Sequence, residues 1–177
     1  MGHLRLAGPA DLAGMQALIP LSVRGLSPGF YSDEQIEQAI VEIFGVDTQL
    51  LEDRTYFVVT DGDAIVGCGG WSRRKTLYGG DQMKGEEDPL LDPARDAARI
   101  RAFFVHPGHA RRGIGGALMR ASESAVREAG FRALELVATL PGEPLYAAYG
   151  FAATRRYETV LRGGVHLPLV AMRKELG

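Results

Sequence analysis

The chain has a single cysteine, Cys68, among 177 residues. That excludes an internal disulfide and any metal site built on paired thiolates. In its Gly-rich apolar surroundings Cys68 reads as a small buried residue. No apolar run approaches the roughly 20 residues of a membrane span. The opening stretch MGHLRLAGPADLAG lacks the apolar centre of a secretion signal. An excess of one charge is missing as well: 20 Lys and Arg stand against 22 Asp and Glu, a formal net charge of −2. A general nucleic-acid binder shows a basic excess, so any attraction for an anion has to be local. The chain is therefore expected to be cytoplasmic, with neither membrane nor nucleic acid as partner. What is present suits one domain over residues 1–177, since 46% hydrophobic and 24% charged residues are enough for a core.

Periodicity orders the elements. His3 to Ala7 reads as a short strand. Pro9 opens a helix through Ile19, with Leu12, Met15, Leu18 and Ile19 at helical spacing. Residues 21–31, which hold Gly25, Pro28 and Gly29, read as a loop. Ser32 and Gln35 form a capping box for a helix from Asp33 to about Phe44 that turns Ile36, Ile40, Val41 and Phe44 inward, and Gly45 stops it. Thr55–Thr60 and Ala64–Trp71 read as strands joined by the Asp61-Gly62 turn. Ser72–Ala98 is a long loop with a basic start (Arg73, Arg74, Lys75) and an acidic patch (Glu86, Glu87, Asp88). Such a loop is either a substrate lid or a solvated surface excursion. Next come a strand, Arg99–Val105, an amphipathic helix, Ile114–Ala129, and a strand, Ala133–Ala138, which form a right-handed parallel crossover. Glu123 and Arg127 are spaced to pair on the exposed side of that helix. A short helix, Glu143–Tyr149, precedes two strands, Phe151–Tyr157 and Val165–Met172, expected as an antiparallel pair with an edge or a bulge at Pro168.

The stretch Phe103 to Leu118, FFVHPGHARRGIGGAL, carries the most information. A strand ends at Val105, and Gly113, Ile114, Gly115 and Gly116 open a helix. First-turn N–H groups have no partner inside the helix, and the dipole there favours negative charge. Glycines let a ligand approach that backbone closely, and Arg111 and Arg112 add fixed positive charge. The pattern is an anion cradle suited to a phosphate-bearing ligand. It is not a P-loop, because Ala117 stands where Lys is required. It is not a dinucleotide fingerprint, because the third Gly is missing.

Val105-His106-Pro107 followed by Arg112-Gly113-Ile114-Gly115-Gly116-Ala117-Leu118 resembles the coenzyme A loop of the GNAT N-acetyltransferase superfamily. About thirty residues on, Tyr146-Ala147-Ala148-Tyr149-Gly150-Phe151 looks like that family's Y-x-x-x-G-F. The order of elements matches too, from about His3 to Lys174. One departure stands out: the first position of the loop pattern, usually Arg or Gln, falls on Ala110, and Arg111 and Arg112 are shifted along by one and two places. The resemblance implies an α/β (α+β) fold. Its mixed, mostly antiparallel sheet has roughly six to seven strands, a central parallel pair splayed into a V, and about four flanking helices.

The resemblance also implies a mechanism. Acetyl-CoA lies in the V, contacted by the main chain of Phe103, Phe104 and Val105, with an N–H near Val105 polarising the acetyl carbonyl. The diphosphate sits on Arg111, Arg112, Gly113, Ile114, Gly115 and Gly116. The acetyl group passes directly to a primary amine of a small molecule or peptide, with no metal. Tyr146 is the implied general acid, protonated at neutral pH, and Tyr149 is the alternative. No residue stands out as the base, Asp96 and His106 being nearby in sequence only, and a water chain would serve as well. Phe30, Tyr31, Trp71 and Arg73 are candidates for the acceptor pocket, and Arg101 with Arg73 suggests an acceptor bearing a carboxylate. A homodimer is allowed. The competing readings are a non-catalytic acyl-CoA sensor and a dinucleotide-binding module.

Overall fold

Strands with apolar side chains on alternate positions of both faces need cover on both sides, and this chain builds one such sheet. The computed structural model describes residues 2–85 and 87–177, so Glu86 of the acidic patch lies outside the described residues. The strands are β1 (His3–Leu6), β2 (Tyr56–Asp61), β3 (Ala64–Ser72), β4 (Ala98–Val105), β5 (Ala133–Thr139), β6 (Ala152–Val160) and β7 (His166–Glu175). Their order is β1-β2-β3-β4-β5-β7-β6. Every neighbouring pair is antiparallel except β4 and β5. The expected mixed, mostly antiparallel fold is thus seen, with one parallel pair at its centre.

The helices are α1 (Leu12–Leu26), α2 (Asp33–Glu42), α3 (Thr48–Glu52), α4 (Ile114–Glu128) and α5 (Glu143–Ala148). Alternation along each strand divides the core. Tyr56, Val58, Leu167 and Leu169 pack with Met15, Ile19 and Ile36 of α1 and α2. Trp71, Ile100, Leu134 and Val170 pack with Met119 and Val126 of α4. The capping box forms as expected, with Ser32 Oγ accepting from the Gln35 N–H at 3.1 Å and Gln35 Oε1 from the Ser32 N–H at 2.8 Å. Arg127 and Glu123 also pair, at 3.1 Å.

Three local readings are corrected. The first helix does not stop at Ile19. It runs through Pro20 to Leu26, because Ser22 and Val23 continue the stripe of Met15, Leu18 and Ile19 against the sheet, and that burial outweighs the hydrogen bond lost at Pro20. Val41 points to solvent, 62% exposed, because the buried stripe of α2 follows Ile36, Ala39 and Ile43 instead. Pro168 does not mark a sheet edge. β7 lies between β5 and β6, and Pro168 stands one residue past the last β5 partner, Leu169, where no ladder bond to β5 is required. The short helix α3 has no counterpart in the sequence reading, although Asp47 caps it by accepting from the Gln49 N–H at 3.0 Å.

The described residues of the long segment between β3 and β4 form a packed wall. Gly80 and Asp81 donate their N–H groups to Ile43 and Val46 carbonyls, at 2.7 and 3.0 Å. Arg74 pairs with Asp53 at 2.7 Å. Lys84 bridges Asp47 and Asp88, at 2.8 and 2.9 Å. A solvated excursion would have none of these anchors.

Candidate active site

Parallel strands hold together only while their ladders match. β4 and β5 share the pairs Ala98–Leu134 and Arg99–Glu135 and then separate. A bulge reinforces the parting: from Arg101 to Phe104 β4 takes one residue more than β3 takes between Gly70 and Cys68. Ala102 adopts a φ of +55° to do so, an uncommon conformation for a residue with a side chain. Gly69 lies opposite the bulge, where a Cβ would sit 2.5 Å from the Phe103 ring. The extra residue therefore turns Phe103 over a bare backbone.

The parted strands open a cavity of about 770 Å³, within the usual range for a small-molecule site. β4 and β5 line its middle. The start of α4, α5, the C-terminal end of α1, residues 43–45 after α2 and Leu77–Gly80 contribute to its lining. No residue from Asp, Glu or His is among the described residues that line it.

At the α4 end, Gly113 is the N-cap with φ +84° and supplies no side-chain cap. The first internal bond is Ala117 N–H to Gly113 O, at 3.0 Å. The N–H groups of the first turn therefore remain available to a ligand. Arg111, with φ +61°, lines the cavity, whereas Arg112 does not. Gly115 and Gly116 have a role that sequence reasoning missed. A Cβ on Gly115 would press on Leu145 at 2.9 Å, and one on Gly116 would collide with the Tyr149 hydroxyl. These glycines let α5 close onto α4.

The two tyrosines of the second motif differ. Tyr149 accepts a hydrogen bond from Arg120 at 3.1 Å over the start of α4. Tyr146 packs between Phe103 and Phe151, each with ring centroids 6.0 Å away, and lines the cavity. Burial alone pushes its phenol above the ordinary tyrosine range, so it stays protonated.

On β4, His106 donates its N–H to Val66 O of β3 at 2.8 Å. Alternation turns the preceding N–H, that of Val105, away from β3. It is not free: it donates to Ser22 Oγ at 3.1 Å. Ser22 belongs to the stretch read as a loop, and only its place on the extended α1 brings it here. Phe104 stacks edge-on to Phe44, with centroids 6.1 Å apart.

The acceptor-side candidates separate sharply. Phe30 lines the cavity and is half exposed. Tyr31 does not line it. Its hydroxyl donates to Pro168 O at 2.5 Å and accepts from Leu140 N–H at 3.0 Å, tying α1's loop to the sheet. Burial pushes its phenol up to about 12. Trp71 is 3% exposed, packed edge-on to Phe131 in the core under α4, and takes no part in the cavity. Its strand position turns it to the α4 face rather than to open space. Arg73 lies outside as well, its guanidinium 5.1 Å above the Trp71 ring.

Arg101 touches the cavity, but its charge is already matched. Its side chain is 1% exposed, 3.0 Å from Asp47, which is fully buried. It also donates to the carbonyls of Gly79 and Thr76, at 2.6 and 3.3 Å. Burial draws the guanidinium's pKa down, and the Asp47 carboxylate opposes that. With Arg73 outside and Arg101 paired, the expected pocket for a carboxylate is absent from the described residues. Cys68 lies beneath the bulge, and burial pushes its thiol up to about 12, so it is no nucleophile.

A bulged strand splayed from its parallel neighbour, beside a glycine-started helix, defines the acyl-CoA-type acetyltransferase fold that the motifs resemble. The GNAT acetyltransferase family model matches residues 24–151, and the chain belongs to that family. A curated relative, the uncharacterized N-acetyltransferase YjcF of Bacillus subtilis strain 168, is 26% identical over 159 residues, which is 88% of this chain and 99% of that one. A GCN5-related N-acetyltransferase from Rhodopseudomonas palustris superposes with a TM-score of 0.73 at 23% identity, over 99% of this chain and 96% of that one. The PaiA N-acetyltransferase of Thermoplasma acidophilum, solved with coenzyme A, superposes with a TM-score of 0.65 at 14% identity, over 99% of each chain. The likeness to these two structures is one of fold.

Proposed function

We propose that the protein transfers an acetyl group from acetyl-CoA directly to the primary amine of a small molecule or peptide. The observation that carries this reading is one cavity whose lining takes in the uncapped first turn of α4, the bulged edge of β4 and a set of apolar side chains. A diphosphate on the α4 amides directs the thioester along β4, where the acceptor meets it against the apolar part of the lining. The residues proposed for the cofactor are the main chain of Phe103 to Val105, together with Arg111 and Gly113 to Gly116. Tyr146 is the proposed acid for the departing thiolate. Its hydroxyl meets no protein partner among the described residues, and this favours an enzyme over a mere acyl-CoA sensor.

Calorimetry tests the cradle. CoA is expected to bind about 100-fold more tightly than pantetheine, which lacks the diphosphate, since charge-assisted hydrogen bonds at a helix N-terminus contribute about 1–3 kcal/mol. Equal affinities, or no heat with CoA, overturn the reading. Release of free thiol from acetyl-CoA with an amine panel then separates enzyme from sensor.

Ser22 supplies a second test. A pantetheine amide that accepts from Val105 N–H has to displace the Ser22 hydroxyl. Ser22→Ala removes that competitor and is expected to tighten CoA binding about threefold, within the ~0.5–1.5 kcal/mol worth of one neutral hydrogen bond. A weaker complex in calorimetry would show that the Ser22 hydroxyl itself holds the ligand.

A further inference from the structure

We infer that the acceptor is an amine already neutral at the working pH and carrying an apolar ring or chain, not a polyamine and not an amino acid with a free carboxylate. This rests on the acetyltransferase reading above and specifies its second substrate.

The argument starts from the proton balance. When a neutral amine attacks the thioester, the C–N bond forms, the C–S bond breaks, and one proton passes from nitrogen to sulfur. Tyr146 can give a proton to the sulfur and regain one from the nitrogen, so no proton is left over. An ammonium has one proton more, and that proton needs a base before attack. It also needs a counter-charge on entering, because a buried, unpaired cation is costly.

The cavity supplies neither. Its titratable lining consists of Arg101, Arg111, Tyr78, Tyr146 and Tyr149, with no carboxylate and no imidazole among the described residues. Behind the wall, Asp47 faces Arg101 and Lys84, and Asp88 faces Lys84, so these carboxylates are already engaged. The apolar part of the cavity lining includes Leu26, Phe30, Ile43, Phe44, Leu77 and Leu169. Such a surface rewards an apolar body. It has no spare cation for a carboxylate, since the Arg101 guanidinium is paired with Asp47 and Arg111 is committed to the diphosphate in the reading above. A lysine-like alkylamine is neutral in only roughly one molecule per thousand near pH 7.4, whereas an amine attached directly to an aromatic ring is almost wholly neutral.

The test is thiol release from acetyl-CoA, between pH 6 and 9, with four acceptors: 4-methylaniline, benzylamine, spermidine and phenylalanine. CoA binding is followed separately by calorimetry. The expected result at pH 7 is a kcat/KM for 4-methylaniline about tenfold or more above that for benzylamine. Its pH profile should be flat, while benzylamine climbs roughly tenfold per pH unit. Spermidine and phenylalanine should stay at background. Preference for spermidine or phenylalanine overturns the inference, and so does CoA binding with no turnover by any of the four. Absence of CoA binding overturns the acetyltransferase reading instead.

Discussion

Tyr146→Phe is expected to lower kcat by about 100-fold or more while CoA affinity changes by less than about threefold, the range attributed to a positioned general acid. The substitution removes one oxygen. The ring's packing on Phe103 and Phe151 is retained, so stability should hold and the loss should report on the hydroxyl. Burial keeps the phenol protonated across the neutral range, so the wild-type rate should show no alkaline decline from this group below about pH 10. Steady-state kinetics with thiol detection, paired with calorimetry, makes the measurement. Unchanged turnover removes Tyr146 from the mechanism. The companion substitution Tyr149→Phe breaks the bond from Arg120 and should cost much less.

Asp47→Asn is expected to destabilise the fold by about 3–5 kcal/mol, because it leaves the Arg101 guanidinium buried and unpaired. The side chains involved are 0% exposed for Asp47 and 1% for Arg101. Asn keeps an oxygen to cap α3 at the Gln49 N–H, which isolates the charge effect from the cap. Against a typical total of about 5–15 kcal/mol, this corresponds to a fall in Tm on the order of 10 °C for a chain of this size. The double variant Asp47→Asn with Arg101→Met should recover part of the loss, since no orphan charge remains. Thermal unfolding followed by circular dichroism reads both. A single-variant Tm within a degree of wild type would mean that the Asp47 charge is not needed to hold Arg101 in the core.

These two residues also mark how far the linear sequence reaches. Tyr146 was legible because its neighbours Gly150 and Phe151 complete a short local pattern. Asp47 was not, because its partners Arg101 and Lys84 are brought to it by the sheet and by the long 72–98 segment. The same division explains the acceptor pocket. Phe30 was found by type and reaches the cavity, but Trp71 and Tyr31 are the same type of residue and turn into the core. Which face a strand residue takes depends on register with distant strands.

Composition, alternation, the Ser32–Gln35 box and the glycine-started helix were decided within a few residues of each other. By themselves they determined most of the strands and helices, the family and the glycine-started entrance of α4. Tertiary structure alone decided where β4 and β5 part, that Ala102 takes the bulge, that Ser22 occupies the Val105 amide, and that Arg101 is cancelled by Asp47. Local patterns are set by backbone geometry over one or two turns. The charge and polarity of a cavity are sums over segments far apart in the chain, and only folding brings those segments together.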